Sequence, residues 1–286
     1  EAFGKIAANV QQFARERGRL VYTLLGSCRE PADIVGYPHP MRVDFEVPPG
    51  VPDHYMALMP PKWLIDTYRP GTKWIIFMDE MTCVQPQVQA AMLRGVAEHI
   101  FGDTALAPDT WIVAACNPPG IAANGQEIEP PMANRMCHLE WKIPWEAWDD
   151  GIRAGLNFPV PEFPVLPNDW RQHIPSVGAI FAGFRNRRPD LFQKYPEERS
   201  RAGGAWPSMR SDTNGIICLA AAQAVGGGDD LQRELLVGCV GPGFANEFFV
   251  WRNALDLPDT EEELDKSAKA LKAGREYKYH DLKRPD

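Results

Sequence analysis

Residues 73–80, with the sequence KWIIFMDE, form an apolar run that ends in two carboxylates. Consecutive apolar residues are typical of a strand that is buried on both faces, as in a parallel sheet covered by helices. Residues 111–116, WIVAAC, form a second run of this kind. Between the two runs, residues 86–100 begin with proline and carry apolar side chains at helical spacing. Strands that alternate with helices predict an α/β fold with a parallel sheet.

The other segments in the first half of the chain fit the same fold. Their apolar periods predict a helix over 1–18, a strand over 20–25, a short helix around 61–68 and a short strand over 136–141. Residues 27–56 are rich in Pro, Gly and His, and we expect them to be irregular.

The sequence pattern changes after residue 148. The stretch FPVPEFPVLP at 158–167 predicts a stiff linker. Beyond it only helical periods occur, at about 169–187, 207–225, 229–240 and 243–255. The chain is therefore expected to divide into an α/β domain over 1–148, a proline-rich linker over 149–168, a small all-helical domain over 169–258 and a charged tail over 259–286.

Asp79 and Glu80 stand at the end of the first buried strand, which holds them in a rigid position. A hydrophobic strand followed by Asp-Glu is a Walker B pattern. In that pattern the first carboxylate holds Mg²⁺, and the second orients or deprotonates an attacking water. The alternative is a polar turn that simply follows a strand, and this motif alone leaves both interpretations open.

Asn117 follows the next buried strand, in the sequence AACNP at 114–118. Because ligands bind at the carboxyl ends of parallel strands, we expect its side chain to lie beside the two carboxylates. An amide in that position fixes the water or contacts a γ-phosphate. The alternative is that Asn117 and Pro118 only start a turn.

Two arginines complete the set of candidate residues. Arg135 ends the sequence PPMANR and immediately precedes a predicted strand, whereas Arg210 ends WPSMR in the first turn of a predicted helix. In phosphoryl-transfer enzymes a planar guanidinium stabilises the charge that develops on the γ-phosphate. Taken alone, Arg135 is better understood as a surface charge, and the alternative for Arg210 is a solvated helix residue.

In this order, the four motifs resemble the Walker B, sensor 1, arginine finger and sensor 2 motifs of AAA+ ATPases, and their details resemble the MoxR group. The resemblance covers about residues 1–258 and rests on FMDEMTCVQPQVQAAML, AACNP, PPMANRMCHLEW, WPSMRS and SCREPADIVG. It implies a P-loop-type parallel sheet sandwiched by helices and followed by a small all-helical lid domain.

The same resemblance implies a role for each candidate residue. Asp79 would bind Mg²⁺ and the nucleotide, while Glu80 and Asn117 would act on the attacking water. Arg210 would contact the nucleotide and take part in catalysis. Arg135 would reach the γ-phosphate of ATP in the neighbouring subunit of a ring.

One motif of the MoxR group is absent from the sequence. No segment has the Walker A form GxxxxGK[ST], whose backbone and lysine hold the phosphates. In the group, the helix that continues from this loop corresponds to residues 1–18. We therefore expect the loop to precede Glu1 in the full-length protein. The alternative is a natural degenerate ATPase.

The function implied by the resemblance is that of a Mg-ATP-hydrolysing ring, a hexamer, that remodels or matures a partner protein. MoxR-type ATPases often act with a protein that has a von Willebrand factor A domain, so such a protein is an expected partner. Residues 36–60 are expected to face the pore of the ring, where the candidates for touching a client chain are Tyr37, His39, His54, Tyr55 and Met56. The alternatives are a nucleic-acid motor of the same class and a non-hydrolysing nucleotide-binding scaffold.

Composition narrows these possibilities. A net charge of −8 argues against a surface that grips nucleic acid. No signal peptide is visible in the sequence as given, and no apolar run reaches roughly 18–20 residues, so we expect a cytoplasmic protein without a membrane span. Ser27 and Cys28 have no base nearby in the sequence and are not expected to be nucleophiles. The cysteines form no CxxC pair and are expected to be reduced and packed as small apolar side chains: Cys28, Cys83, Cys116, Cys137, Cys218 and Cys239.

Overall fold

The structure is a computed structural model of the chain. It describes residues 14, 17–122, 125–142, 144–156, 164–198, 202–255, 269 and 272. Most of the helix predicted over 1–18 and nearly all of the charged tail from 259 lie outside the described residues. The same is true of residues 157–163 in the predicted linker.

The first half of the chain contains a three-stranded parallel sheet, which confirms the predicted α/β class. Its strands are β1 (Arg19–Leu25), β4 (Lys73–Asp79) and β7 (Trp111–Ala114), in the order β1-β4-β7. In this register Leu25 lies opposite Asp79, and Met78 lies opposite Ala114. The carboxyl ends of the three strands therefore meet at one edge of the sheet.

Helices cover this sheet and bury its apolar side chains. They are α1 (Pro31–Val35), α2 (Lys62–Asp66), α3 (Pro86–Glu98) and α4 (Pro130–Ala133), whereas a further helix, α5 (Trp145–Arg153), is largely exposed and adds no residue to this core. Ile76 and Met78 of β4 are fully buried, as is Met92 of α3. Gly95 lets α3 approach the short hairpin of β5 (Ile100–Phe101) and β6 (Thr104–Ala105), since a Cβ there would lie 2.1 Å from the ring of Phe101.

The prediction that residues 27–56 are irregular was wrong for part of that range. β2 (Tyr37–Arg42) and β3 (His54–Met59) form an exposed antiparallel hairpin. β2 was not predicted because it contains Pro38 and Pro40, and proline cannot donate a hydrogen bond to a neighbouring strand. Two residues apart, both prolines can face the outer edge of a two-stranded ribbon, where the missing N–H costs no strand pairing.

The strand predicted over 136–141 was also wrong, because the described residues there form no strand. Instead, the backbone N–H of His138 donates to the carbonyl oxygen of Gly238 at 2.7 Å, in the last turn of a helix of the second half of the chain. The last carbonyl groups of a helix have no partner within it and so accept from other segments. This contact draws the segment towards the helices and away from the sheet.

Every regular element described between residues 164 and 255 is helical. The longer helices are α6 (Ile174–Arg187), α7 (Met209–Ala224), α8 (Asp229–Val240) and α9 (Pro242–Leu255). Ser208 caps α7 by accepting from the backbone N–H of Ser211 at 3.1 Å. The helices pack around an aromatic cluster of Phe181, Phe184, Phe244, Phe248 and Phe249. Within the described part of the chain, no helix is both long and apolar enough to cross a membrane.

An ion pair between Arg185 of α6 and Asp212 of α7 lies inside this bundle. The two side chains are only 14% and 8% exposed. Replacing Arg185 by Met leaves a buried carboxylate without its cation, so we expect unfolding to become easier by about 3–5 kcal/mol. The measurement is urea unfolding, with the midpoint and the slope reported separately.

Two further variants separate charge burial from loss of packing. Arg185→Met combined with Asp212→Leu removes both charges, and we expect its stability to return close to that of the original protein. Arg153→Met, in an exposed pair with Asp149, is the matched control and should cost at most about 1 kcal/mol. A double variant as unstable as the single one would contradict the role given to the buried charge.

Candidate functional site

A cavity of about 540 Å³ opens at the carboxyl edge of the parallel sheet. Glu80 lines it directly after β4, Ser27 just after β1, and Asn117 after β7. Backbone hydrogen bonds hold the loops after β4 and β7 together, because Ala115 donates to Met78 at 2.8 Å and accepts from Met81 at 3.1 Å. The arrangement follows from the sheet, since parallel strands bring their following loops to one edge.

Glu80 is fixed in an unusual backbone conformation. Its φ of 57° and ψ of 40° lie in the left-handed region, which costs a residue with a Cβ roughly 1–2 kcal/mol. Its backbone N–H donates to Oδ1 of Asp79 at 2.9 Å, and its own Oε2 accepts from the hydroxyl of Ser27 at 2.5 Å. Strained residues held by their surroundings cluster at functional sites. The conformation sends the carboxylate of Glu80 to the cavity, while Asp79 remains at the strand end.

Ser27 is a site residue that the sequence analysis missed. No base lies close to Ser27 in the sequence, and its partner Glu80 is 53 residues away in the chain. Ser27 follows β1, which the structure places beside β4, and the order of residues in the chain does not state that pairing. Gly26 permits this approach: a Cβ at that position would lie 2.2 Å from Cγ2 of the buried Val84.

Asn117 is exposed and lies on the wall of the same cavity. Its backbone carbonyl accepts from the hydroxyl of Thr82 at 2.8 Å. Thr82 also accepts at its backbone oxygen from the N–H of Gln126 at 2.6 Å. These bonds fix the loop after β7 against the loop after β4, so that the amide of Asn117 and the carboxylate of Glu80 share one space.

Arg135 and Arg210 lie together, but in a second cavity of about 630 Å³ that none of the other candidate residues lines. Arg135 follows α4, and Arg210 is in the first turn of α7. The Nε atom of Arg135 is buried and has no hydrogen-bond partner among the described residues. Burial, followed by the like charge of Arg210, lowers the pKa of Arg135. Glu129 and Glu197 line the same cavity, so the two guanidinium groups share it with carboxylates.

A buried side chain, Asn134, brings the two arginines together. Its Nδ2 donates to the backbone oxygen of Trp206 at 3.0 Å, and its Oδ1 accepts from the hydroxyl of Ser208 at 2.6 Å. The residue before Arg135 is thus bonded to the segment that leads into the helix of Arg210. This role of Asn134 was not predicted from the sequence.

A buried glutamine fixes the approach to α4 from the other side. Gln89 of α3 is 1% exposed and donates from Nε2 to the backbone oxygen of Glu127 at 3.3 Å. Its Oε1 accepts from the backbone N–H of Glu129 at 3.0 Å. The segment that carries Arg135 is therefore held at both ends by buried amide side chains.

The first cavity has the groups of a hydrolytic site. A carboxylate that is oriented by a hydroxyl can position or deprotonate a water, and an amide facing it can hold the same water or an oxyanion. Asp79, at the end of β4, is not among the residues that line this cavity, although it directly precedes Glu80. Carboxylate oxygens are the ligands that Mg²⁺ prefers, so the two carboxylates at the end of β4 are of the type that fits this ion. The site does not contain a glycine-rich phosphate loop, since the sequence has none of the form GxxxxGK[ST].

The chain matches no model of a known protein family and no curated protein. Its function is therefore inferred from its motifs and from the geometry of the two cavities.

Proposed function

We propose that this chain is the hydrolytic part of a Mg-ATP-hydrolysing ring ATPase of the AAA+ class, similar to the MoxR group, that remodels a partner protein. The observation that carries the proposal is the first cavity, where Ser27 holds the carboxylate of Glu80 opposite Asn117 at the ends of neighbouring parallel strands. These groups act on a water that attacks the γ-phosphate. Glu80 accepts its proton, and Asn117 orients it.

On this proposal, Asp79 is the residue that holds Mg²⁺, directly or through water. When bound, the ion would supply positive charge that neutralises the charge developing on the transferred phosphate. Asp79 suits this role because the rigid end of β4 fixes its position and its Oδ1 already accepts from the N–H of Glu80.

The proposal requires a phosphate-binding loop, and the given sequence has none of the form GxxxxGK[ST]. The sheet has room for the strand that would lead into it. Among the described residues β7 is paired on one side only, with β4. An additional parallel strand beside β7 would bring its loop to the edge where Glu80 lies.

The arginines in the second cavity fit a contact between subunits. They share a space that Glu80 does not line, and a guanidinium has the donor geometry to bind a phosphate. In a ring built from repeated heterologous contacts, a surface of one subunit meets the nucleotide site of the next. We therefore propose that Arg135 acts on the γ-phosphate of a neighbouring subunit, and that Arg210 contacts the same nucleotide.

The exposed hairpin of β2 and β3 is the proposed contact with the client protein. Its register places Tyr37, His39 and Tyr55 on one face, together with Met41 and Met59. His54 and Met56 lie on the other face. Tyr37, Tyr55 and Met56 are 61%, 51% and 63% exposed, so apolar area is available to an unfolded segment. A protein with a von Willebrand factor A domain remains the expected partner.

The Asp79→Asn variant tests this function through the metal. We expect it to weaken Mg²⁺-dependent ATP binding by at least about 10-fold, because a neutral amide is a poorer ligand for a hard cation. The measurement is calorimetric titration of the full-length protein with ATP, in Mg²⁺ and again in a chelator. Asp109→Asn is the matched control, since that carboxylate lies at the opposite edge of the sheet, 3.7 Å from Lys73.

The outcomes separate the proposal from its alternatives. ATP binding without hydrolysis would favour the nucleotide-binding scaffold, and hydrolysis stimulated by nucleic acid would favour the nucleic-acid motor. If ATP affinity is the same with and without Mg²⁺ in both the Asp79→Asn and the Asp109→Asn proteins, the assignment of Asp79 as the residue that holds Mg²⁺ is contradicted.

A further inference from the structure

Three cysteines that are far apart in the sequence meet between the two halves of the chain. Cys137 lies in the segment after Arg135, Cys218 lies on α7 and Cys239 on α8. Their Sγ atoms all lie within 4.8 Å of one another, and those of Cys218 and Cys239 are 3.9 Å apart. Cys239 is 1% exposed, and the other two are partly buried. The three thiols form no disulfide.

The backbone around the three cysteines lets the segment of Cys137 approach α8 closely. A Cβ on Gly238 would lie 2.4 Å from the carbonyl oxygen of His138 and 2.9 Å from Sγ of Cys137. The absence of a side chain at Gly238 therefore admits the segment, and the hydrogen bond from His138 to Gly238 fixes it there. Cys137 is also held by a weak bond from its Sγ to the backbone oxygen of Leu235, at 3.6 Å.

We propose that Cys137, Cys218 and Cys239 form a binding site for a soft, thiophilic metal cation, best matched by Cu(I). Thiolates bound about 2.3 Å from one ion lie about 3.8–4.0 Å apart. The pair on α7 and α8 already has this separation, and the third sulfur needs to move by only about 1 Å to complete a triangle. Thiolate ligands select Cu(I) and Zn²⁺ over hard cations.

The number of ligands decides between these two ions. No further His, Cys, Asp or Glu donor joins the group among the described residues. Structural Zn²⁺ is almost always bound by four ligands, whereas three thiolates satisfy Cu(I). Binding forms three metal–sulfur bonds and releases the thiol protons to solvent. The ion would join the segment that follows Arg135 to two helices of the helical half.

The test uses a host variant that keeps only these thiols, Cys28→Ser/Cys83→Ser/Cys116→Ser. The reduced protein is titrated anaerobically with Cu(I) against a bicinchoninate chelator, and X-ray absorption counts the sulfur ligands. We expect one equivalent bound by three sulfurs. Adding Cys137→Ser should weaken Cu(I) binding by more than about 100-fold. Loss of a residue that only orients a metal ligand already costs up to about 100-fold in metal affinity, and Cys137 is itself a proposed ligand.

A second variant tests the geometry without removing a thiol. Gly238→Ala should displace the segment of Cys137 and weaken Cu(I) binding, although all three thiols remain. If either variant fails to fold, protection from alkylation decides the question in the host protein: Cu(I) should protect all three cysteines from N-ethylmaleimide. Binding by two sulfurs, or affinity unchanged in Cys137→Ser, would overturn the site. A tighter, four-coordinate Zn²⁺ complex would overturn the choice of ion.

Discussion

Glu80→Gln is expected to lower the rate of ATP hydrolysis by the full-length protein by about 10²–10⁴-fold and to leave ATP affinity nearly unchanged. Glutamine has the size of glutamate, and its Oε1 can still accept from the hydroxyl of Ser27. The change therefore removes the proton acceptor and keeps the local structure. The measurement is steady-state phosphate release, with ATP affinity determined separately by calorimetry.

Two further variants make this result specific to the site. Ser27→Ala keeps the carboxylate but removes the bond that orients it, so we expect a smaller loss of rate, of about 10-fold. Glu146→Gln, on the exposed surface of α5, should hydrolyse ATP normally. If Glu80→Gln protein turns over ATP at the original rate, Glu80 is not the catalytic base and the proposed hydrolytic site is wrong.

The strands of the parallel sheet were predictable because a continuous apolar run between turn residues is typical of a buried strand. The same rule placed Glu80 and Asn117 at strand ends, where the structure has them lining one cavity. The hairpin of β2 and β3 was missed because prolines at alternate positions are not typical of a strand. The strand over 136–141 was predicted from local pattern alone, and a carbonyl on α8 that is 100 residues away in the chain attracts that segment instead.

The features of the site that could not be predicted from the sequence depend on contacts between side chains that are distant in the chain. Ser27 meets Glu80 only because β1 and β4 are neighbours, which the chain order does not state. Arg135 and Arg210 share a cavity because Asn134 binds the segment before α7. The sequence around Asn134 does not distinguish a buried side chain that bonds two segments from an ordinary turn residue.

The largest effect is expected from Arg135, since a guanidinium that stabilises phosphoryl transfer is worth about 10³–10⁵ in rate. Arg135→Ala protein should therefore be nearly inactive, as should Glu80→Gln protein. Rings mixed from the two should recover activity, because a Glu80→Gln subunit supplies an intact Arg135 to the intact Glu80 of its neighbour. Random mixing in equal amounts gives about one productive contact in four. Arg153→Ala, at a 76% exposed position, is the control.

The shared cavity adds a sharper form of this experiment. If Arg135 and Arg210 act from the same subunit on a neighbouring nucleotide, rings mixed from Arg135→Ala and Arg210→Ala subunits must stay inactive, because every subunit lacks one of the two arginines. If Arg210 instead serves the nucleotide of its own subunit, an Arg135→Ala subunit keeps a complete Arg210 site and receives Arg135 from its neighbour, so activity returns. The grouping of the two guanidinium groups away from Glu80 predicts the first result. Normal hydrolysis by Arg135→Ala alone would contradict both versions.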